Sequence, residues 1–202
     1  MKIFITSNVK KYFKTYIDFL DHYWINFFKK NRLDFILLNT DISNSLNKLK
    51  LYPNKKKLLI LTGGSDVGKK KYDSIKRDNL EKKLIKLAIK KNIPILGICR
   101  GAQLFAKLNG IDLVRTKSHM RTKHYIKFNK RFLNYKKFVK VNSYHNYAIK
   151  KKEKKYFEFI AHDNNGYIEL FTYKKNNIFM MWHPERNKNY SELKKIINFY
   201  EN

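Results

Sequence analysis

Cys99 is the only cysteine of the chain, and its neighbours make it a candidate nucleophile. Gly97 and Gly101 stand two residues away on either side, which indicates a sharp turn that side chains at those positions would obstruct. An apolar run precedes the turn and helical spacing follows it, so the thiol is expected at a helix N-terminus, where a thiolate is favoured. The alternative is a buried structural cysteine.

Two adjacent glycines, Gly63 and Gly64, follow an apolar run at residues 57–61. Glycines let backbone N–H groups approach a reacting atom closely, which is what an oxyanion hole requires. Ligands of α/β sheets also bind beyond the carboxyl ends of the strands. The alternative is an ordinary turn between a strand and a helix.

The sequence His183-Pro184-Glu185 could supply a base and the carboxylate that orients it. Pro184 keeps the preceding residue out of the helical region, so His183 is expected to be extended. Side chains two residues apart in an extended chain point the same way, so Glu185 can accept a hydrogen bond from the imidazole. That bond would leave the other ring nitrogen free to act as a base. The alternative is an ordinary loop.

The other polar residues show weaker patterns. Residues 142–146 follow a predicted strand, which suits either ligand contacts or a polar loop. Asp78 and Glu81 are expected in the solvated first turn of a helix. The remaining histidines have no metal-ligand spacing, so packing or surface roles and no metal site are predicted. These histidines are His22, His119, His124 and His162.

The composition predicts one globular domain over residues 1–202, with 43% hydrophobic residues. A single cysteine suits a reducing compartment. Residues 1–8 are too short an apolar run for a signal peptide, and no long apolar stretch occurs. A soluble cytoplasmic protein with no membrane partner is therefore expected.

The formal net charge of +29 raises the question of a nucleic-acid partner. Clustered Lys and Arg would release counterions from a phosphate backbone. Here the basic residues are mostly lysines spread along the whole chain, which is typical of a solvated surface, so no nucleic-acid partner is predicted. The positive field would still attract an anionic small molecule.

Apolar periodicity predicts an α/β fold with a doubly wound, mostly parallel sheet flanked by helices. Continuous apolar runs predict strands at residues 2–6, 33–38, 57–61 and 95–98. Helical spacing predicts a long amphipathic helix at residues 13–28, a short helix at 42–49 and a helix at 73–91. Two more helices are predicted after Cys99 and at the end of the chain. Later strands are predicted at 124–128, 138–141, 156–161, 167–173 and 178–182, with an antiparallel hairpin at residues 164–166.

Taken in order, the glycine pair, the cysteine turn and the His-Pro-Glu sequence resemble the class I glutamine amidotransferase superfamily over nearly the whole chain. The resemblance implies the flavodoxin-like fold of that family. It also implies that Cys99 attacks a γ-glutamyl carbonyl and that His183 and Glu185 complete a catalytic triad. The backbone N–H groups of Gly64 and Arg100 would form the oxyanion hole.

The same resemblance implies which residues hold the substrate. They are Gly63, Gln103, Ser143, Tyr144 and His145. The Cys-Arg-Gly and Asn-Ser-x-His sequences are more similar to the γ-glutamyl hydrolase branch than to the synthetase-coupled amidotransferases. A small γ-glutamyl molecule is therefore the implied substrate, and no cofactor or metal is required.

Three functions remain open from the sequence. The first is a stand-alone γ-glutamyl hydrolase, favoured because the chain leaves no room for a synthetase domain. The second is a glutaminase subunit that delivers ammonia to a separate synthetase. The third is a non-catalytic, basic nucleic-acid-binding protein, against which the matched catalytic positions argue.

Cationic residues near the predicted site indicate an anionic leaving group. Lys69, Lys70 and Lys71 follow the glycine pair, and Arg100 follows the cysteine, so positive side chains are expected around the mouth of the site. A phosphate-bearing leaving group would gain charge-assisted hydrogen bonds there. The alternative is one more solvated lysine cluster.

Overall fold

The computed structural model describes residues 1–52, 56–68, 72–116 and 119–201. Its strands are β1 (Lys2–Thr6), β2 (Asn8–Tyr12), β3 (Thr15–Phe19), β4 (Phe35–Leu38), β5 (Lys57–Leu61), β6 (Ile95–Ile98), β7 (Leu113–Arg115), β8 (Met120–Phe128), β9 (Phe138–Tyr144), β10 (Tyr147–Ile149), β11 (Phe157–Asp163), β12 (Ile168–Tyr173) and β13 (Asn177–Met180). Its helices are α1 (His22–Asn31), α2 (Ile42–Lys50), α3 (Tyr72–Lys90), α4 (Arg100–Leu108) and α5 (Ser191–Glu201), and a 3₁₀ turn covers Pro184–Arg186.

The main sheet is parallel in one half and antiparallel in the other. Its strand order is β4-β1-β5-β6-β13-β12-β11-β8-β9, and β10 joins β12 to β7. Pairings from β4 to β13 are parallel, whereas those from β13 to β9 are antiparallel. The predicted doubly wound α/β fold is confirmed. The predicted hairpin is present and joins β11 to β12. The antiparallel half contains further strands that were not assigned to it in the prediction.

Apolar side chains alternate between the two faces of the sheet and pack against helices on each. In β1, Ile3 and Ile5 lie in the core with α1 and α5, while Phe4 lies in the core with α2, α3 and α4. Burial on both faces explains why β5 and β6 are continuous apolar runs. Burying one such side chain contributes about 1.5–3 kcal/mol. Among the described residues, no helix is both long enough and apolar enough to cross a bilayer.

The predicted helix at residues 13–28 is wrong in its first half. Residues 8–19 form the antiparallel hairpin of β2 and β3, with Phe13 in its turn at φ 52°. This segment is rich in aromatic and β-branched residues, which favour strands. The helix begins only after Asp21, whose carboxylate caps its N-terminus. The buried helical stripe therefore starts at Trp24.

Candidate active site

Three neighbouring parallel strands bring the predicted catalytic positions together. β5, β6 and β13 lie side by side in the sheet. Because their carboxyl ends meet at one edge, the segments that follow these strands also meet there. Those segments carry Gly63 and Gly64, then Cys99, and then His183.

The turn at Cys99 has the geometry predicted for a nucleophile elbow. Cys99 has φ 48° and ψ −100°, which residues with a side chain rarely adopt, and α4 begins at the next residue. A Cβ atom at Gly97 would overlap the ring of Phe179, and one at Gly101 would lie 2.5 Å from the carbonyl oxygen of Leu61. Close packing therefore requires both flanking glycines, as the sequence predicts.

His183 is fixed through both its ring and its backbone. Its Nδ1 lies 2.6 Å from Oε1 of Glu185. The side chain of Asn142, on β9, accepts a hydrogen bond from the backbone N–H of His183 at 2.8 Å and donates to its carbonyl oxygen at 2.9 Å. Nε2 has no well-aligned partner among the described residues. It is thus the ring nitrogen that is free for proton transfer.

The surroundings of His183 stabilise its charged form. Burial acts to lower the pKa of the imidazole, but the Glu185 carboxylate and the nearby Cys99 sulfur outweigh burial and raise the pKa to about 10. The charged ring lies beside the Cys99 sulfur, as in the cysteine–histidine pairs of thiol-dependent enzymes. The arrangement can therefore activate a thiol.

Glu185→Gln should destabilise the fold most below the ordinary histidine pKa of about 6.5. There His183 is protonated in the folded and the unfolded wild-type chain, so its pairing with the carboxylate contributes fully. As the pH rises toward the folded-state pKa of about 10, the imidazolium loses its proton and the difference in unfolding free energy between the two proteins should shrink. Urea unfolding across this pH range measures the difference. A difference that grows with pH would contradict the assigned ion pair.

Further side chains pack around the His183 ring. An added Cβ atom at Gly63 would overlap Cε1 of the ring, so the ring needs glycine beneath it. Tyr144 packs edge-on against the ring, with centroids 5.4 Å apart. The guanidinium of Arg186 lies 4.4 Å from the centroid of the Tyr144 ring. The sequence reasoning missed Arg186, although it directly follows the His-Pro-Glu sequence.

A buried charge network lies beneath the candidate site. Arg100 pairs with Asp78 and Glu81, and Arg77 pairs with Glu81 at 3.0 Å. Burial acts to raise the pKa of Glu81, but Arg100 and Arg77 outweigh it and hold that pKa below its usual value.

Two predictions fail at this network. Asp78 and Glu81 are buried, not solvated. Arg100 is also buried, so its side chain does not line the mouth of the site. The reason is that carboxylates on α3 meet the first residue of α4 inside the protein. The lysine run at residues 69–71 lies outside the described residues.

Arg77 connects this network to the glycine pair. Its guanidinium donates to the carbonyl oxygens of Thr62 and Gly63 at 2.7 and 3.0 Å. Gly64 has φ 140°, and a Cβ atom there would overlap the Arg77 side chain. The sequence reasoning missed Arg77, but its four-residue spacing from Glu81 on a helix is a recognisable ion-pair signal.

Of the other residues predicted to hold the substrate, Gln103, Ser143 and His145 are buried and Tyr144 is exposed. Gln103 donates from its side-chain amide to the carbonyl oxygen of Tyr147 at 2.8 Å. Ser143 donates its hydroxyl to the carbonyl oxygen of His119 at 2.6 Å. The imidazole of His145 lies 3.6 Å from the Glu169 carboxylate. Within residues 143–145, it is the Tyr144 ring that contacts His183.

A group of potential metal ligands lies behind this segment. One ligand atom from each of His119, His145 and Glu169 falls within 4.8 Å of the others, and all three residues are buried. Linear spacing did not predict the group, because its members come from three separate places: the residue before β8, the residue after β9, and β12.

A cavity of about 880 Å³ opens at the opposite edge of the sheet. Its lining includes Lys57 at the start of β5, Pro94 just before β6, and Tyr200 of α5. It therefore lies at the amino ends of the strands and is separate from the candidate active site.

The fold and the site together define an α/β protein with a cysteine elbow and a histidine at adjacent strand ends. Residues 17–202 match the family model described as glutamine amidotransferase class-I. The chain belongs to that family.

Particular relatives cover most of the chain. It is 37% identical over 162 residues to gamma-glutamyl-CDP-amidate hydrolase of Campylobacter jejuni subsp. jejuni serotype O:2, covering 74% of this chain and 76% of the relative. It is 31% identical over 131 residues to a glutamine-hydrolyzing GMP synthase subunit of Methanocaldococcus jannaschii, covering 63% of each chain. The crystal structure of a glutamine amidotransferase from Thermotoga maritima has the same fold, with a TM-score of 0.70, 22% identity, and coverage of 99% of this chain and 82% of that one.

Proposed function

We propose that this protein is a cysteine-dependent hydrolase that cleaves a γ-glutamyl amide bond through a γ-glutamyl thioester and releases glutamate. The observation that carries the proposal is that Cys99 lies beside the paired side chains of His183 and Glu185, where the carboxyl ends of adjacent strands come together. A buried imidazolium beside a sulfur is the arrangement that a thiol nucleophile requires. Membership of the amidotransferase family supports the same chemistry.

The reaction begins when the Cys99 thiolate attacks the γ-carbonyl carbon, which gives a tetrahedral oxyanion. The carbon–nitrogen bond then breaks while the His183 imidazolium gives its proton to the departing nitrogen. The neutral imidazole next takes a proton from water, and the water oxygen attacks the thioester carbon. Breaking the carbon–sulfur bond releases glutamate and restores the thiolate and the imidazolium. Glu185 orients the ring throughout.

The backbone N–H groups of Gly64 and Arg100 are the proposed donors to the oxyanion. In a trans peptide the C=O and N–H groups point in opposite directions. Arg77 holds the Gly63 carbonyl oxygen, so it directs the N–H of Gly64 to the other side of that peptide. Ion pairs of the Arg100 side chain with Asp78 and Glu81 fix the start of α4, where the second N–H lies. We therefore assign Arg77 as a positioning residue for preorganised donors.

The glutamyl group is proposed to bind among the residues that the family resemblance implies. They are Gly63, Gln103, Ser143, Tyr144 and His145. Because the side chains of Ser143 and His145 are directed to His119 and Glu169, we assign them backbone contacts with the substrate. Tyr144 is 38% exposed and lies against His183, so its side chain is free to contact the substrate.

The leaving group is proposed to be anionic, and γ-glutamyl-CDP-amidate of capsule phosphoramidate biosynthesis is the proposed substrate. The name of the Campylobacter relative supports this choice. The Arg100 side chain cannot contact the leaving group, because it is buried in ion pairs. We propose that Arg186 contacts the leaving group instead. Its side chain is 27% exposed, pairs with Asp21 at 3.3 Å and packs against the Tyr144 ring.

The experiment that tests this function measures glutamate release from a panel of γ-glutamyl compounds. The panel contains a γ-glutamyl nucleotide amidate, uncharged γ-glutamyl amides and L-glutamine. We expect turnover of γ-glutamyl amides without added metal or cofactor, with the highest kcat/KM for the nucleotide amidate. Absence of glutamate release from every member would contradict the proposal.

Arg186→Gln should weaken the reaction of the anionic substrate selectively. Losing one charge-assisted contact of about 1.5–3 kcal/mol lowers kcat/KM roughly ten- to a hundredfold. The uncharged amides should change far less, because their leaving groups offer no charge. Lys188→Gln is the matched control, since it removes the same charge from an exposed residue two positions later. Equal losses for charged and uncharged substrates would rule out this role of Arg186.

A second candidate function is a glutaminase subunit that supplies ammonia to a separate synthetase. The similarity to the GMP synthase subunit of Methanocaldococcus jannaschii favours it. Such a protein would hydrolyse L-glutamine slowly by itself and faster with its partner. Preference for L-glutamine over all other γ-glutamyl compounds in the panel would favour this candidate.

A further inference from the structure

Buried imidazoles and carboxylates are concentrated behind β9, outside the proposed triad. His119, His145, Asp163 and Glu169 have side chains at most 4% exposed, and His124 lies beside them. His119 and His124 stack with ring centroids 4.4 Å apart. Within the described part of the chain, neither ring nitrogen of His145 and neither oxygen of Glu169 meets a well-aligned hydrogen-bond partner. Polar atoms buried in this way are costly unless something binds them.

Three imidazole nitrogens converge on one oxygen of Glu169. Oε1 lies 3.4 Å from Nε2 of His124, 3.6 Å from Nε2 of His145 and 3.7 Å from Nδ1 of His119. Direct N–H···O hydrogen bonds are shorter, about 2.7–3.2 Å. The spacing therefore leaves room for an atom that all of these groups could bind.

The tautomer of His119 is set by a second carboxylate. Its Nε2 lies 3.0 Å from Oδ2 of Asp163 and donates to it. In the neutral ring, Nδ1 then carries a lone pair, which faces the negative oxygen of Glu169. Two facing lone pairs repel unless a cation lies between them. Metal-binding histidines usually donate a hydrogen bond from their other ring nitrogen to a carboxylate, as His119 does to Asp163.

We propose that His119 Nδ1, His145 Nε2 and the Glu169 carboxylate bind a divalent transition metal ion of the Zn²⁺ type. Nitrogen and oxygen ligands lie about 2.0–2.2 Å from Zn²⁺, so the ligand atoms of a tetrahedral site are roughly 3.3–3.6 Å apart. The separations of 3.6 and 3.7 Å to Glu169 lie at the upper limit of this range, and all three ligand atoms fall within 4.8 Å of one another, so a small inward shift of the side chains would complete the site. His124, whose Nε2 lies 3.4 Å from the same oxygen, stacks on the His119 ring beside these three ligands. Imidazole and carboxylate donors favour such metals over Mg²⁺ or Ca²⁺.

The metal ion would cross-link the antiparallel half of the sheet. Its ligands come from the residue before β8, from the residue after β9 and from β12. β9 also carries Asn142, which holds the backbone of His183. The site is therefore structural, and it fixes the strand that supports the candidate active site.

The test uses Cys99→Ala protein, because a thiolate and His183 could themselves bind a transition metal. Zn²⁺ is titrated into chelator-treated protein, and bound metal is measured by calorimetry and by elemental analysis after dialysis. We expect one equivalent of Zn²⁺ and a melting temperature that rises with binding. X-ray absorption should detect nitrogen and oxygen ligands with at least two imidazoles.

Variants in the same background assign the ligands. Glu169→Gln and His145→Gln should each weaken Zn²⁺ binding at least tenfold, whereas His22→Gln, which changes an exposed histidine, should leave it unchanged. If either Glu169→Gln or His145→Gln protein fails to fold, the other variant and the X-ray absorption spectrum still test the metal site. No bound equivalent in the Cys99→Ala protein, fewer than two imidazole ligands, or unchanged binding in a folded cluster variant would overturn the proposal. Each readout is independent of turnover, so the proposed hydrolase function can fail without affecting this result.

Discussion

Cys99→Ala is expected to abolish release of glutamate from γ-glutamyl amides while the protein stays folded. Alanine also carries a Cβ atom, so the positive φ at this turn is strained to the same degree in both proteins. The change removes one sulfur atom from the core, whereas losing the nucleophile of a triad lowers kcat by several orders of magnitude. Glutamate release by coupled assay, with thermal melting to verify the fold, measures both effects.

Activity that survives the loss of Cys99 would contradict this mechanism. If folded Cys99→Ala protein released glutamate at a rate near that of the wild type, the sulfur would have no part in bond cleavage. Residual activity at the level of about one part in a thousand or less is compatible with the mechanism, because binding and the oxyanion donors alone retain some catalysis.

Gly63→Ala should be nearly as damaging, although it removes no reactive group. The new methyl group would overlap Cε1 of His183 and lie 3.3 Å from both ring nitrogens. The ring cannot move without leaving Glu185, and a displacement of about 1 Å costs roughly a hundredfold in rate. We therefore expect kcat to fall at least about a hundredfold. We also expect a loss of unfolding free energy.

A double-mutant cycle isolates this contact. In the His183→Ala background the ring is absent, so adding Gly63→Ala should cost much less unfolding free energy than it does in the wild type. Equal costs in the two backgrounds would mean that the clash is not with His183. Chemical denaturation of the four proteins provides the measurement.

The sequence predicted those features that depend on local patterns. Apolar runs located the buried parallel strands, the two glycines that flank Cys99 located the elbow, and the proline located the His-Glu pair. Each of these signals lies within a few residues of the position that it describes. The same limit explains the error at Phe13, where helical spacing arose by chance in a hairpin of aromatic and β-branched residues.

The electrostatic framework could not be predicted, because it depends on contacts between distant segments. Glu81 and Arg100 are 19 residues apart and meet only when α3 packs beside α4. Arg77 looks like a surface helical residue until its hydrogen bonds to the glycine loop are known. His119, His145 and Glu169 come together only when β9 and β12 join one sheet. Of these contacts, linear spacing indicates only the pair of Arg77 and Glu81, which are four residues apart on one helix.

The most direct test of the central claim is partitioning of the acyl-enzyme between water and hydroxylamine. Two γ-glutamyl substrates with different leaving groups are hydrolysed at the same hydroxylamine concentration, and glutamate and γ-glutamyl hydroxamate are quantified. A shared γ-glutamyl thioester on Cys99 requires that both substrates give the same ratio of the two products, because the leaving group has departed before partitioning occurs. A ratio that differs between the substrates, or glutamate release with no hydroxamate, would contradict a covalent intermediate on Cys99.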